Sequence, residues 1–259
     1  MGSPGLRRAL AVAANTYRET VRERVLYTLV LFAVLMTLSG LLLGELSIRQ
    51  DEKIVKDIGL ASIDIFGTLI AVFVGVGLVG KEIERRSLYP LLAKPLGRGE
   101  FLVGKLAGLS FTLLVNVALM AAGMLLTLLA THRTADLRLL KAVYAIYLGL
   151  LLTVALALFF SAVASSSLLA SIWTLSLVIA GRFSDVILHM RQVTDAPRWL
   201  TQSLYLVLPN FRNFDFKDRV VYGGPVSFSE LGWVTLYALV YIGVLLGAAN
   251  LAFRSRDLT

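Results

Sequence analysis

The chain has no cysteine and only two histidines among its 259 residues. Without cysteine it can form no disulfide, no thiolate metal site and no thiol nucleophile. Charged residues are also scarce, at 16% of the sequence, whereas soluble domains carry about 25%. Hydrophobic residues make up 57% and the mean hydropathy is +0.77. This composition favours a membrane protein over a soluble enzyme.

Proline and buried ionisable residues are equally sparse inside the apolar segments. None of the six prolines lies within a long apolar run, which disfavours the interrupted helices of sodium-coupled carriers. No His, Lys or Glu lies deep in such a run, and an intramembrane hydrolase needs a nucleophile with a base. A proton-coupled carrier usually needs several buried carboxylates, and only Asp64 is offered. The chain therefore shows no energy source of its own.

The longest apolar run extends from Ala142 to Gly181 without one charge. As a helix it would be roughly 60 Å long, about twice the hydrocarbon thickness of a bilayer. Its only break is a small polar cluster at Ser161–Ser167. We expect two membrane-spanning helices joined there by a tight turn, which makes the chain a polytopic membrane protein.

The apolar segments predict an all-α fold with six transmembrane helices in one domain, residues 1–259. The expected spans are Val25–Leu46, Leu60–Gly80, Leu106–Ala130, the two halves of the Ala142–Gly181 run, and Leu231–Phe253.

Two further segments flank these spans. Residues 1–24 predict an amphipathic helix with a basic face that lies at the membrane interface, and we expect no cleaved signal peptide. Residues 182–230 form a long outer segment rich in aromatic residues. Its stretch WLTQSLYLVL is too short to cross the bilayer but apolar enough to enter it, so we expect a re-entrant segment there.

Lysine and arginine set the expected orientation. Cytoplasmic termini would place thirteen of them on the inner side, against six in the two short outer loops and six in the long outer segment. Short loops dominate this bias, so both termini are predicted to be cytoplasmic, in a bacterial inner membrane. The net charge of +8 then reflects residues that flank the spans, and no nucleic-acid partner is expected.

Several glycine motifs resemble nucleotide sites but lack their context. Gly99–Lys105 fits G-x-x-x-x-G-K, but Leu106 follows where a phosphate-binding loop needs Ser or Thr for magnesium. The glycines of GVGLVG, at 75–80, lie inside an apolar span. Neither motif predicts a nucleotide site. Three G-x-x-x-G pairs favour close helix packing within the subunit, with a subunit interface as the alternative; they are Gly40/Gly44, Gly104/Gly108 and Gly243/Gly247.

Asp64 is an ionisable residue about one turn into the predicted span Leu60–Gly80. It is either a carboxylate at a helix start, favoured by the helix dipole, or part of a substrate path. Arg182 and Asp185 end span five, where snorkelling explains them. The two histidines, His132 and His189, lie at helix ends and predict no metal site. Asn116 is expected to bond a neighbouring helix.

The inner loop, residues 81–105, carries the features of a docking surface. It combines charged residues with exposed apolar anchors, a pattern that suits a protein partner; an ordinary positive loop is the alternative. The residues expected to contribute are Glu82, Glu84, Arg85, Tyr89, Leu91, Leu92, Pro95 and Arg98.

The same loop resembles that of ABC-2 type transporter permeases. The resemblance rests on an E-x-E start, a Leu-Leu-x-x-Pro-x-x-Arg run and a Gly-Lys pair; the matching residues are Glu82, Glu84, Leu91, Leu92, Pro95, Arg98, Gly104 and Lys105. The family usually has Gly-Thr before the Leu-Leu run, where this chain has Arg86-Ser87. The entry to span one, around Arg18 to Tyr27, and the triplet Leu208-Pro209-Asn210 are similar to the group of the nitrous-oxide-reductase maturation permease.

This resemblance implies a dimer of six-helix subunits, homo- or heterodimeric, each docked on a cytoplasmic ATP-binding subunit. ATP and magnesium would be bound by that partner, and this chain would hold no cofactor and have no enzymatic site. The loop at 81–105 would be the coupling segment. The substrate path would follow spans two and five, where the candidate residues are Asp64, Thr68, Trp173 and Thr174.

We therefore expect the permease subunit of an ATP-driven exporter. One alternative is a self-sufficient channel or secondary carrier, which would transport without an ATPase. A second is an intramembrane enzyme, which the missing catalytic groups disfavour. The sequence does not identify the transported substrate.

Overall fold

Every element of the computed structural model is helical, as the apolar pattern predicts. The structure describes residues 10–18, 31–32, 34–35, 51–84, 98–132, 136–184 and 208–255, and this part of the chain contains no strand. Besides a helical stretch at 10–18, its elements are α1 (Asp51–Glu84), α2 (Arg98–His132), α3 (Leu139–Val163), α4 (Ser167–Arg182), a 3-10 turn (Phe211–Phe214), α5 (Lys217–Val221) and α6 (Phe228–Ser255).

Among the described residues, four helices are long and apolar enough to cross a membrane, namely α1, α2, α3 and α6. They match the predicted spans two, three, four and six. Helix α4, the predicted span five, has 16 residues and is about 24 Å long, shorter than the hydrocarbon layer of about 30 Å. Span one and the re-entrant stretch fall almost entirely outside the described residues, so the six-span count stays a prediction.

Helices α1 and α2 extend beyond the predicted spans. Helix α1 begins at Asp51 rather than Leu60, and its first turns are held by Lys56, whose Nζ lies 2.7 Å from Glu52 and 3.1 Å from Asp136. The Asp136 contact ties α1 to the turn before α3. At their other ends, α1 runs to residue 84 and α2 starts at residue 98. The predicted loop 81–105 is therefore helical at both ends, and 85–97 lie outside the described residues.

Helix α3 lies at the centre of the described bundle. It is apolar around its whole circumference and most of its residues are buried, as expected for a helix surrounded by others. Helix α1 approaches it closely through two glycines: a Cβ on Gly67 would lie 2.5 Å from Leu150, and one on Gly75 would lie 2.9 Å from Ala157. Of the GVGLVG glycines, Gly75 thus serves helix packing, as the sequence indicates, whereas a Cβ on Gly77 would meet no described atom within 4 Å.

The polar cluster in the long apolar run does break the helix. Helix α3 ends at Val163, Ala164 is extended, and α4 begins after Ser166. The Ser166 hydroxyl accepts a hydrogen bond from the Leu169 amide at 3.3 Å, which caps the new helix. The predicted tight turn within Ser161–Ser167 is confirmed.

Only residues 10–18 of the predicted interfacial helix are described, and they pack against α2. Thr16 is fully buried, and the Tyr17 ring meets Phe111 edge-on at 5.0 Å between centroids. A Cβ on Gly108 would lie 2.6 Å from the Ala13 carbonyl oxygen. Gly108, from one predicted glycine pair, is thus a packing site within the subunit.

The other glycine pairs give a different result. A Cβ on Gly243 or Gly247 would have no neighbour within 4 Å among the described residues. The described residues therefore show no helix packed against this pair, and its packing within the subunit or at a subunit interface stays a prediction. The pair Gly40/Gly44 lies outside the described residues.

Gly181, near the end of α4, is expected to tolerate no side chain. A Cβ there would overlap the Pro209 carbonyl oxygen and lie 2.7 Å from the Phe211 ring. The change Gly181→Ala should therefore cost about 1–3 kcal/mol and lower the temperature of thermal unfolding in detergent. Gly243→Ala is the control, because its Cβ enters open space. Equal melting temperatures for the two variants would contradict this packing.

Candidate functional site

A cavity of about 1030 Å³ opens between α1, α3, the end of α4, α6 and the segment 210–219. Its walls are both charged and aromatic. The residues that matter below are Asp64, Thr68, Arg182, Lys217, Trp233 and Tyr237. We call this space the vestibule.

Two cationic side chains meet one carboxylate at the vestibule wall. The guanidinium of Arg182 donates to both carboxylate oxygens of Asp64, at 2.7 Å each. The Lys217 ammonium donates to Oδ2 of Asp64 at 2.8 Å. Arg182 also donates to the Thr68 hydroxyl at 3.0 Å. One carboxylate thus joins α1, α4 and α5, three elements far apart in sequence.

The helix-start interpretation of Asp64 is wrong. Helix α1 begins 13 residues earlier, at Asp51, so Asp64 lies about four turns into the helix and inside the candidate span Glu52–Gly77. The helix dipole acts only within the first turn and cannot stabilise this charge. Its side chain is only 12% exposed, and a buried charge needs paired partners. Arg182 and Lys217 supply them.

The snorkelling interpretation of Arg182 is also wrong. Its side chain turns to Asp64 on α1, in the two-point geometry that arginine forms with carboxylates. The residue still retains 35% of its side-chain exposure, because the vestibule opens beside it. Arg182 therefore belongs to the site rather than to the surface of the bundle.

The segment that carries Lys217 is held in place by Asn210. The Asn210 side-chain oxygen accepts from the Ser184 hydroxyl and from the Arg212 amide, at 3.0 Å each. The backbone amide of Asn210 donates to the Tyr237 hydroxyl at 2.9 Å. These bonds connect the end of α4, the 3-10 turn and α6, so Lys217 is presented to Asp64 from a fixed support.

The rim of the vestibule carries further charges in more exposed positions. Arg219 and Glu230 form an ion pair at 3.0 Å, and Glu230 also accepts from the Ser227 amide. Asp215 accepts from the Lys217 backbone amide at 3.3 Å. Rim charges are solvated and contribute little to stability, so the Asp64 cluster is the energetically important one.

The structure brings together two of the four residues predicted for a substrate path. Asp64 and Thr68 both line the vestibule. Thr174 is instead fully buried and its hydroxyl donates to the Ala170 carbonyl within α4. Trp173 packs edge-on against Phe160, at 5.8 Å between centroids. Neither Trp173 nor Thr174 lines the vestibule.

The predicted coupling residues lie mostly outside the described part. Glu82 and Glu84 belong to the last turn of α1, and Arg98 is the first residue of α2. The others, Arg85, Tyr89, Leu91, Leu92 and Pro95, fall in the undescribed range 85–97.

Lys217 and Asn210 make contacts at the vestibule that were not predicted from the sequence. A signal for Lys217 was present, because a carboxylate inside a span requires a cationic partner, and the adjoining segment 182–230 supplies several. For Asn210 the triplet Leu208-Pro209-Asn210 stood out, but its hydrogen bonds depend on residues of three elements. Only the folded chain selects the partners.

Three other predictions from the sequence can be compared with the structure. Residues 99–105 are helical, so this G-x-x-x-x-G-K run does not form a phosphate-binding loop. Asn116 donates to the Thr112 carbonyl of its own helix at 2.9 Å, and the described residues show no bond from it to another helix. The described residues contain no cluster of His, Asp or Glu that could hold a metal, although His189 lies outside them.

Among the described residues, four helices long and apolar enough to cross a membrane are typical of an integral membrane protein. The family model of the ABC-2 family transporter protein matches residues 10–258. The chain therefore belongs to the ABC-2 transporter family and is a permease subunit of an ABC transporter, which implies an ATP-binding partner subunit. No curated protein matches it.

Proposed function

We propose that the chain is the exporting permease of an ABC transporter in a bacterial inner membrane, with both termini in the cytoplasm. Two permease subunits would form a dimer, and each would dock a separate ATPase. The family match over residues 10–258 carries this proposal. Kinship with the nitrous-oxide-reductase maturation group is part of it and rests on the motifs around spans one and six.

The vestibule is the proposed substrate path on the side away from the ATPase. Its Asp64 cluster joins α1, α4 and α5, so a movement of α1 against α4 would change the ion pairs. Charged residues at membrane depth are costly and mark transport pathways by default. ATP binding in the partner would alternate the vestibule between open and closed forms.

The coupling segment is proposed to lie between α1 and α2. Glu82 and Glu84 extend from a helix that also carries Asp64. A rigid helix of 34 residues can transmit a displacement at one end to the ion pairs in its other half. Helix α1 would therefore connect a docked ATPase directly to the vestibule.

The test is co-expression with candidate ATP-binding subunits from the same cell, followed by purification on a tagged permease. We expect an ATPase to co-purify in a near one-to-one ratio and its hydrolysis to rise when a transported compound is added. The isolated permease should hydrolyse no ATP. Transport in liposomes by the permease alone would contradict the proposal and favour a channel or carrier.

A further inference from the structure

The Asp64 cluster carries more positive than negative charge. It holds one carboxylate and two cations, Arg182 and Lys217. The three side chains are 12%, 35% and 17% exposed, respectively. A net positive charge at this depth is unfavourable unless a further anion compensates it.

Both cations also keep hydrogen-bond donors for a ligand. A guanidinium has five N–H donors, and among the described residues Arg182 commits three, two to Asp64 and one to Thr68. An ammonium has three, and within the described ranges Lys217 commits one, again to Asp64. Both side chains line the vestibule.

In the part of the chain that the structure describes, no carboxylate other than Asp64 forms an ion pair with Arg182 or Lys217. Of the rim carboxylates, Glu230 is bonded to Arg219 and the Ser227 amide, and Asp215 caps the Lys217 backbone. Asp218 is exposed on α5 and Arg212 is exposed on the 3-10 turn. Exposed charges are screened by water and salt, whereas partly buried ones are screened much less.

We propose that the vestibule binds an oxyanion, such as a phosphate, sulfate or carboxylate group, between Arg182 and Lys217. The group would belong to a soluble anion or to a lipid headgroup, since the two present the same oxygens. An oxyanion is the substrate class of the transporter only if the vestibule is the substrate path, so the inference rests on the proposed function. The binding site itself is defined by the permease alone.

The chain contains a natural reporter of this binding. Trp233 lines the vestibule and is 72% exposed, and the sequence has only two other tryptophans, Trp173 and Trp199. Replacing both by phenylalanine leaves one emission signal at the site. The probe is sodium phosphate, titrated against chloride at constant ionic strength in dodecyl maltoside; a parallel arm adds phosphatidylglycerol to the micelles.

We expect a saturable change in Trp233 emission with phosphate, with phosphatidylglycerol, or with both. A response to phosphate identifies a soluble oxyanion as sufficient, and a response to the lipid alone identifies a headgroup. Lys217→Gln leaves Asp64 and Arg182 as a balanced pair, so its affinity should fall at least tenfold. Lys141→Gln is the matched control: this lysine donates to the Val226 carbonyl and does not line the vestibule, so affinity should be unchanged.

Asp64→Asn provides a test of opposite sign. The change removes the competing carboxylate, so the oxyanion should bind at least threefold more tightly than it does to the unmodified chain. Added phosphate should accordingly raise the melting temperature of the variant by more than it raises that of the unmodified chain. A merely structural ion pair predicts no such gain. Should this variant fail to fold, the Lys217→Gln titration decides.

Three results would overturn the inference: no saturable response to either probe, unchanged affinity in Lys217→Gln, or weaker binding in a folded Asp64→Asn. These are distinct from failure of the proposed function. A permease that co-purifies with an ATPase yet ignores both probes refutes only the oxyanion site. One that binds phosphate but transports without an ATPase refutes only the proposed function.

Discussion

Asp64→Asn is expected to cause the largest loss of stability of any single polar substitution in the vestibule. Arg182 and Lys217 would keep their charges but lose the carboxylate that both contact at 2.7–2.8 Å. Breaking a buried ion pair by removing one partner typically costs about 3–5 kcal/mol, because the other charge stays buried. Thermal unfolding in dodecyl maltoside and chloride measures the effect.

The matched control is Asp57→Asn, which removes an exposed carboxylate from the same helix and should change stability by less than about 0.5 kcal/mol. Adding Lys217→Gln to Asp64→Asn removes one of the stranded charges. The double variant should therefore be more stable than the sum of the two single losses predicts. Additive losses would show that the three charges do not act as one cluster.

Leu91→Asp is expected to abolish co-purification of the ATPase while the permease still inserts and folds. The prediction rests on the sequence of the coupling loop, where apolar residues stand among charges. The apolar centre of an interface usually carries most of the binding energy, and a carboxylate placed there would be desolvated without a partner. Tyr89→Asp should have the same effect. The measurement is the ATPase-to-permease ratio after affinity purification.

A charge at the edge of the same loop provides the comparison. Glu84→Ala should retain most of the bound ATPase, because rim charges contribute little to affinity, but should weaken the stimulation of hydrolysis by substrate. Normal co-purification and transport in both Leu91→Asp and Tyr89→Asp would remove the coupling-loop assignment. The result would then favour a channel or carrier that transports without an ATPase.

Hydrophobic length predicted most of the fold, because it is a local property. A run such as Ala142–Gly181 without a charge can be accommodated only as buried or membrane-spanning helix. The turn that interrupts this run was also predictable, since serines favour helix caps over helix interiors. The exact ends of the helices were harder to predict. Helix α1 includes Asp51, and in its first turns Lys56 is bound to Glu52 and to Asp136, the second of which lies 80 residues away.

The site was predictable only in part, because its members come from distant elements. Asp64 stood out as a lone carboxylate in an apolar span. Arg182 was visible but assigned to the surface, and Lys217 was not singled out. An exposed lysine and a partner of a buried carboxylate look the same in sequence, since the difference is a distance of 2.8 Å across 153 residues.

By itself the sequence determined the all-α class, the membrane location and the family, because these follow from residue type and local order along the chain. Tertiary structure decided which charges meet. It placed Arg182 and Lys217 on Asp64, and left Trp173 and Thr174 away from the vestibule. The physical reason is the low dielectric of the bundle, where a charge is tolerated only beside a partner, and the partner is chosen by how the helices pack.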